Sequence, residues 1–125
     1  MVRNFKELSV WKRAYELALE VYSCSSGFPQ SEAFGLASQM RRAAVSVVSN
    51  IAEGYGRGHR TEYMQFLRIA YASAGELETQ LLLSKDLGYL SKDGFDRASS
   101  LLLEFQKMLG SMLRRFASEL GKRRN

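Results

Sequence analysis

The sequence is poor in cysteine, proline and histidine, with one residue of each: Cys24, Pro29 and His59. A single cysteine excludes an intrachain disulfide, and one cysteine with one histidine falls short of a structural zinc site. Long apolar runs are also missing, which argues against a membrane-spanning helix. No apolar segment follows the N-terminus as in a secretory signal peptide, so we expect a cytoplasmic protein without membrane contact.

Acidic and basic residues balance over most of the chain but not near its C-terminus. Residues 1–104 contain twelve basic and twelve acidic side chains, whereas residues 105–125 contain six basic ones against Glu119 alone. The net charge of +5 therefore arises in this last segment. Such a segment indicates an anionic partner, most simply nucleic acid. A solvated helix end, whose cations complement the helix dipole, explains the same charges and is slightly favoured when this segment is taken alone.

Four segments show the apolar periodicity of helices, and none shows the sustained alternation typical of strands. The predicted helices cover about residues 6–26, 32–54, 61–87 and 92–120, with Ser31, Thr61 and Ser91 as candidate N-caps. Residues 1–125 are expected to form one domain, long enough for one hydrophobic core. The short connections favour an all-α fold, an antiparallel up-down-up-down four-helix bundle.

The second predicted helix is apolar or small on nearly every side. This exceeds what a helix of a monomeric four-helix bundle needs to bury. Such a helix is typical of a subunit interface, and so we expect a homo-oligomer. A polar line nevertheless runs through the same turns, formed by Arg41, Arg42, Ser46, Asn50 and Glu53.

Antiparallel pairing of the second and third helices predicts partners for this polar line. The expected contacts are Arg42 with Glu76, Arg41 with Glu78, and Asn50 with Arg68, with Glu53 close to the start of the third helix. A buried arginine needs a carboxylate, and such pairs fix the register of two helices. We therefore interpret these residues as a structural polar network. The alternative is that Arg41, Arg42 and Asn50 line a phosphate-binding surface.

The segment EGYGRGH, residues 53–59, has glycines at positions 54, 56 and 58. No strand precedes it and it matches neither the GxGxxG nor the GxxxxGK motif, which disfavours a phosphate loop and favours a turn between helices. Arg57 and Arg60 still form a second basic patch beside His59, a surface residue, and Tyr55 is the best candidate for stacking on an unpaired base. No arrangement of nucleophile and base points to catalysis, and nothing indicates a cofactor or metal.

Three stretches of the chain resemble a known family: FKELSVWKRAYELALEVY, FPQSEAFGLASQMRRAAVSVVSNIAEGYGR and EYMQFLRIAYASAGELETQL. They are similar to the four-helix-bundle proteins of the 23S ribosomal RNA intervening-sequence family. The resemblance implies a bacterial, cytoplasmic protein forming a ring-like homopentamer, related to accessory proteins of reverse transcriptases in diversity-generating retroelements. The family's motif residues fall on Arg41, Arg42, Ser46, Asn50, Glu53, Gly54, Arg57, Glu76, Glu78 and Thr79.

The sequence and the resemblance together favour a non-enzymatic, oligomeric helical bundle that binds RNA or another nucleic acid. The candidate contacts are basic residues of the turn and the C-terminal segment: Arg57, Arg60, Arg114, Arg115, Lys122, Arg123 and Arg124. One alternative is a protein-interaction scaffold with a protein partner, such as a reverse-transcriptase accessory subunit. An enzyme with a site between subunits that includes Glu53 ranks last.

Overall fold

The computed structural model describes residues 4–124, with side chains described for residues 4–122. Four helices make up most of this range: α1 (Ser9–Ser25), α2 (Leu36–Gly56), α3 (Arg60–Asp86) and α4 (Lys92–Arg124). Short 3-10 turns, Phe5–Glu7 and Gln30–Glu32, precede α1 and α2. The described part contains no strand. The predicted all-helical fold with four helices is confirmed.

The connection between α1 and α2 differs from the prediction at the point where α2 begins. Helix α1 ends at Ser25, shortly before Pro29, as the sequence indicates. Helix α2 begins at Leu36 rather than near residue 32, and Ser31 lies in the 3-10 turn instead of capping the helix. The N–H of Leu36 donates to Oε1 of Glu32 at 3.0 Å. A carboxylate at this position complements the positive end of the helix. Glu32, not Ser31, therefore provides the side-chain acceptor at the start of α2.

The turn from α2 into α3 occupies only three residues. Gly58 has φ +78°, a left-handed conformation that glycine adopts without steric cost. Helix α3 then begins at Arg60, with His59 in extended conformation as its N-cap residue. Thr61 therefore lies inside the first turn of α3 and does not cap it.

Helix α3 ends at a second left-handed glycine, and a serine caps α4. Gly88 has φ +81°, and its N–H donates to the carbonyl oxygen of Lys85 at 3.0 Å. This is the C-terminal stop that the sequence predicts. The hydroxyl of Ser91 accepts a hydrogen bond from the N–H of Gly94 at 3.1 Å, as predicted for the cap of α4.

The four helices follow one another around the core in chain order. Helix α2 contacts α1 and α3, and α4 contacts α3 and α1. Contacts between α2 and α3 join Met40 with Ser84 and Gly54 with Phe66. Residue numbers thus rise along α2 as they fall along α3. The pairs α1–α2 and α3–α4 consequently lie on opposite sides of the bundle.

The core is filled mainly by aliphatic side chains from all four helices. Fully buried members include Leu17, Val21, Met40, Val47, Ile51, Leu67, Leu77, Leu81, Phe105 and Leu109. Removing each large side chain of this kind from water contributes about 1.5–3 kcal/mol. Gly54 allows α2 to approach α3 closely, since a Cβ atom there would lie 2.6 Å from Cβ of Phe66.

Most of the apolar surface of α2 is used inside the chain. Because α2 packs against both α1 and α3, its aliphatic residues are largely buried, and Val45 is its one large exposed apolar side chain among the described residues. The remaining exposed apolar surface lies on other elements: Tyr15, Leu19, Tyr22, Phe34, Ile69, Tyr71, Leu82, Leu83, Leu87 and Leu103. The excess apolar surface predicted on α2 is therefore spread over several helices instead.

Within residues 4–124, none of the helices combines the length and the apolar character needed to cross a membrane.

Candidate nucleic-acid interface

The turn between α2 and α3 meets the last turns of α4 at one end of the bundle. The guanidinium of Arg60, at the start of α3, forms an ion pair with the carboxylate of Glu119 in α4. Its Cζ atom also lies 4.4 Å from the ring centroid of Phe116. Cζ of Arg115 lies 5.3 Å from the same centroid. The two basic patches predicted separately are therefore parts of one surface.

We call this surface the basic end, and define it by Arg57, Arg60, Arg114, Arg115 and Lys122, all of which are exposed. Arg123 and Arg124, which the sequence also predicts as contacts, lie outside the residues whose side chains the structure describes. Aromatic rings lie under three of these cations: Phe66 under Arg57, and Phe116 under Arg60 and Arg115. Such a ring holds a guanidinium group over apolar surface and leaves its edge open to solvent.

Carboxylates neutralise only part of the basic end. Nη2 of Arg57 lies 2.7 Å from Oε1 of Glu53, one turn earlier in α2, and Arg60 is paired with Glu119. Arg114, Arg115 and Lys122 form no ion pair within the described residues. These three cations are therefore the ones most available to an external anion.

A cavity of about 420 Å³ opens beside the turn at this end. Its side chains are Tyr55, His59, Arg60, Tyr63 and Phe116. The Tyr55 and Tyr63 rings meet edge to face with centroids 5.8 Å apart. Tyr55 is half-buried, so the predicted stacking residue contributes to the wall of a cavity rather than to an open platform. His59 is exposed, as expected for a surface residue.

Tyr63 contributes a buried hydroxyl to the same region. Its oxygen atom has no hydrogen-bond partner among the described residues. Burial, followed by the neighbouring Tyr55, raises the pKa of Tyr63 from 10.0 to about 12. The phenol therefore stays neutral at physiological pH and supplies no charge to the basic end.

The polar line of α2 does not form the predicted charge pairs with α3. Nε of Arg41 donates to the hydroxyl of Ser25 at 2.9 Å, and Nη2 donates to the carbonyl oxygen of Tyr22 at 3.2 Å. The guanidinium also lies over the Tyr22 ring, 4.7 Å from its centroid. The predicted contact of Arg41 with Glu78 is therefore wrong, because Arg41 lies on the side of α2 that faces α1.

The predicted acidic partners are bound elsewhere. Oε1 of Glu76 accepts from the amide of Gln80 at 3.1 Å, and Oε1 of Glu78 accepts from the amide of Gln106 in α4 at 2.8 Å. Arg42 is exposed and has no hydrogen bond or ion pair among the described residues. The predicted Arg42–Glu76 pair is wrong, since these two side chains turn outward from the α2–α3 contact.

A neutral network replaces the charge pairs between α2 and α3. The hydroxyl oxygens of Ser46 and Ser73 lie 2.8 Å apart. The amide of Asn50 donates to the carbonyl oxygen of Ser46 at 2.8 Å and to its hydroxyl at 3.1 Å, and the predicted neighbour Arg68 takes no part in these hydrogen bonds. Ser25 and Ser73 are not predictable as members of these networks, because isolated serines on a helix give no periodic signal.

The arrangement offers no metal centre. Within the described residues, no three His, Cys, Asp or Glu side chains are grouped closely enough to hold a metal ion. The one cysteine, Cys24, lies at the opposite end of the bundle from His59, near the end of α1. What the site provides chemically is positive charge beside aromatic surface.

A family model described as "23S rRNA-intervening sequence protein" matches residues 6–111, which is most of the chain. The chain belongs to the 23S rRNA-intervening sequence protein family. The resemblance inferred from the sequence is thereby confirmed. The basic turn lies inside the range that matches the family, whereas Arg114, Arg115 and Lys122 follow it. The C-terminal part of the basic end is thus a feature of this chain beyond the matched range.

A solved structure is similar to this 23S rRNA-intervening sequence protein in fold. It is a protein of unknown function from the S23 ribosomal protein family of Bacteroides thetaiotaomicron, with 23% sequence identity and a TM-score of 0.74. The alignment covers 83% of this chain and 97% of the solved one. No curated protein gives a significant match.

Proposed function

We propose that this protein is a non-enzymatic, cytoplasmic protein that binds RNA or another nucleic acid through its basic end. Its antiparallel bundle assembles into a ring-like homo-oligomer, a homopentamer, in which several basic ends act together. The observation that supports nucleic-acid binding is the meeting of Arg60 and Arg115 at the ring of Phe116. Two basic segments that are distant in sequence thereby offer one continuous surface to phosphate groups.

Charge, more than shape, drives the proposed binding. Cations without carboxylate partners neutralise phosphates and release condensed counterions, which gives affinity that depends steeply on salt. Arg114, Arg115 and Lys122 are the cations of this kind at the basic end. Five copies of a chain with net charge +5 carry about +25, and several weak contacts on one ring raise the overall affinity.

The experiment is a fluorescence-anisotropy titration of a labelled RNA hairpin with the protein at several salt concentrations. The test variant replaces Arg114, Arg115 and Lys122 by glutamine. The control variant replaces Lys85, Lys92 and Arg97 by glutamine, which removes the same charge at the end of α3 and the start of α4. Both variants therefore have the same net charge but differ in which end of the bundle has lost it.

We expect the logarithm of the association constant to fall linearly with the logarithm of the salt concentration. The slope should become less negative by about 2 to 3 in the test variant, at about 0.7–0.9 for each of the three lost phosphate contacts, and stay nearly constant in the control. An equal change of slope in both variants would overturn the proposal that binding is localised at the basic end. No binding of the unmodified protein at low salt would overturn the nucleic-acid function and favour a protein-interaction scaffold.

A further inference from the structure

Two opposite sides of the bundle carry exposed apolar side chains next to cavities. We call the first the α1–α2 face, defined by Tyr22, Ala33, Arg42 and Val45, which line one cavity. Phe34, which follows Ala33 directly in the chain, is counted with this face, as are Tyr15 and Leu19 on the same side of α1. The second is the α3–α4 face, defined by Glu78, Leu82, Phe95, Leu103 and Gln106. Because the helices follow one another around the core in chain order, these faces point in opposite directions.

The two faces are complementary in shape and apolar character. On the α1–α2 face, Phe34 is 97% exposed, so the whole ring projects into solvent. On the α3–α4 face, a groove of about 230 Å³ runs between Leu82 and Leu103 and is floored by Leu102. An exposed aromatic ring and an unfilled apolar groove each expose surface that association would remove from water.

One charged side chain on each face lacks a partner of opposite sign. Arg42 has no acidic partner within the described residues, and Arg41 beside it binds only a hydroxyl, a carbonyl oxygen and an aromatic ring. Glu78, at the edge of the groove, accepts a hydrogen bond from Gln106 but has no cation within ion-pair distance among the described residues. The groove also has a cation at the Phe95 end, where Nζ of Lys85 lies 4.6 Å from the ring centroid. Arg42 and Glu78 are therefore the one pair of opposite charges that the two faces offer each other at this level.

The groups that would pair across the interface also lie at similar positions along the bundle axis. Met40 contacts Ser84, and Ser46 contacts Ser73. Arg42 therefore lies at the level of the α3 segment between those serines, which contains Glu78 and Leu82. Phe34, two residues before α2 begins, lies at the end where α4 starts and where Phe95 lines the groove. Two copies side by side, with their helices in the same direction, would bring both pairs of groups together.

We propose that the α1–α2 face of one copy binds the α3–α4 face of the next, with Phe34 entering the groove between Leu82 and Leu103 and Arg42 pairing with Glu78. The inference rests on the proposed homo-oligomer and assigns its interface. Because different faces meet, the interface is head-to-tail, and repeating it closes a ring when the rotation between copies allows closure. Every copy then has its basic end at the same side of the assembly.

The test measures molar mass by light scattering after size exclusion. Phe34→Asp and Leu103→Asp introduce a charge at exposed positions of the two faces, and each is expected to convert the oligomer into a monomer of 14.1 kDa. Leu83→Asp is the matched control, because Leu83 is as exposed as Leu82 but turns toward the α2 side of α3. Circular dichroism shows whether each variant remains helical.

Mixing the two monomeric variants gives a sharper result. Phe34→Asp keeps an intact α3–α4 face and Leu103→Asp keeps an intact α1–α2 face, so the mixture should form a heterodimer of twice the monomer mass and nothing larger. In the same way, Arg42→Glu and Glu78→Arg should each weaken assembly, and the doubly substituted chain should recover it. Recovery in either experiment also shows that the single variants are folded.

The outcomes separate this proposal from the proposed function. An unmodified chain that is monomeric at every concentration would overturn the homo-oligomer and with it the interface. An oligomer that survives Phe34→Asp and Leu103→Asp, or that Leu83→Asp disrupts, would overturn the interface alone. RNA binding is measured on the same variants, and because their basic ends are unchanged, salt-dependent binding by the monomers would uphold the basic end independently.

Discussion

The hydroxyl oxygens of Ser46 and Ser73 lie 2.8 Å apart where α2 and α3 cross. The amide of Asn50 also reaches the Ser46 hydroxyl, at 3.1 Å, so three neutral side chains share one small network. Neutral groups of this size can be desolvated at lower cost than ions. Hydroxyl and amide groups therefore help to hold the register of α2 and α3, while Arg42 of α2 remains available at the surface.

A double-mutant cycle on Ser46 and Ser73 tests this network. Ser46→Ala and Ser73→Ala should each destabilise the fold, since each removes the hydrogen bond between the two hydroxyls. The combined variant should lose less unfolding free energy than the sum of the two single losses. We expect a coupling energy of about 0.5–1.5 kcal/mol from urea unfolding. Ser49→Ala, at an exposed position of α2, is the control and should change stability by less than about 0.5 kcal/mol. Additive losses at Ser46 and Ser73 would refute the coupling.

Gly54→Ala should destabilise the contact between α2 and α3. The new methyl group would lie 2.6 Å from Cβ of Phe66, an atom fixed to the backbone that cannot move aside. We expect a loss of about 1–3 kcal/mol in thermal or urea unfolding. Gly75→Ala is the matched control inside α3, where a Cβ would meet no atom within 4 Å, and it should stabilise the helix by up to about 1 kcal/mol. The same sign of change in both variants would contradict the close approach.

Tyr63→Phe should stabilise the fold. The substitution removes a buried hydroxyl that has no hydrogen-bond partner in the described part of the chain and leaves the ring contacts with Tyr55 and Phe116 in place. An unpaired buried polar group costs about 1–3 kcal/mol, and we expect a gain of about 1 kcal/mol in urea unfolding. Tyr15→Phe removes an exposed hydroxyl and should be nearly neutral. A loss of stability on Tyr63→Phe would mean that the hydroxyl has a stabilising partner.

The thiol of Cys24 should react slowly with alkylating reagents. Burial, followed by the nearby Glu20, raises its pKa from 9.0 to about 11, so the reactive thiolate is about a hundredfold scarcer at pH 8 than for an ordinary cysteine. Iodoacetamide labelling followed by mass spectrometry should therefore be at least that much slower in the folded chain than in urea. Equal rates in the two states would contradict the raised pKa.

The same shift gives stability a defined dependence on alkaline pH. A thiol whose pKa is higher in the folded state binds its proton more tightly there, so its contribution is complete below pH 9 and is lost as the pH rises toward 11. Tyr63 acts in the same direction between pH 10 and 12. We expect the urea midpoint to fall steadily above pH 9, and Cys24→Ala to reduce the part of this fall that lies below pH 10. A midpoint that stays constant to pH 11 would refute the assignment.

The helices were predictable from the sequence, but the partners of their polar side chains were not. Apolar periodicity identifies the four helices, and the glycine at 88 and the serine at 91 identify the end of α3 and the cap of α4. Register along two helices follows from residue numbers. The angular position of each side chain around its helix also decides its partner. Arg41 points toward α1, whereas Ser46 contacts α3 and Asn50 bonds to Ser46.

The candidate site was predictable only in pieces. Charge counting finds Arg60 in the turn and Arg115 near the C-terminus, yet nothing in the sequence says that both lie over one ring. That proximity depends on α4 being long enough, with 33 residues, to run back beside the start of α3. Phe34 gave no signal at all, because a lone phenylalanine before a helix is usually part of the core, whereas here its ring is almost wholly in solvent.

Trp11, the only tryptophan of the chain, stacks on Tyr15 with centroids 5.0 Å apart and meets the edge of Phe5 at 5.3 Å. Tyr15 belongs to the side of α1 that also carries Leu19 and Tyr22, and about half of its surface is open to water. The fluorescence of the indole consequently reports how exposed this side of the molecule is to water. Its emission should move to shorter wavelength as a second copy excludes water, and a simple dilution series would record that change without any attached dye.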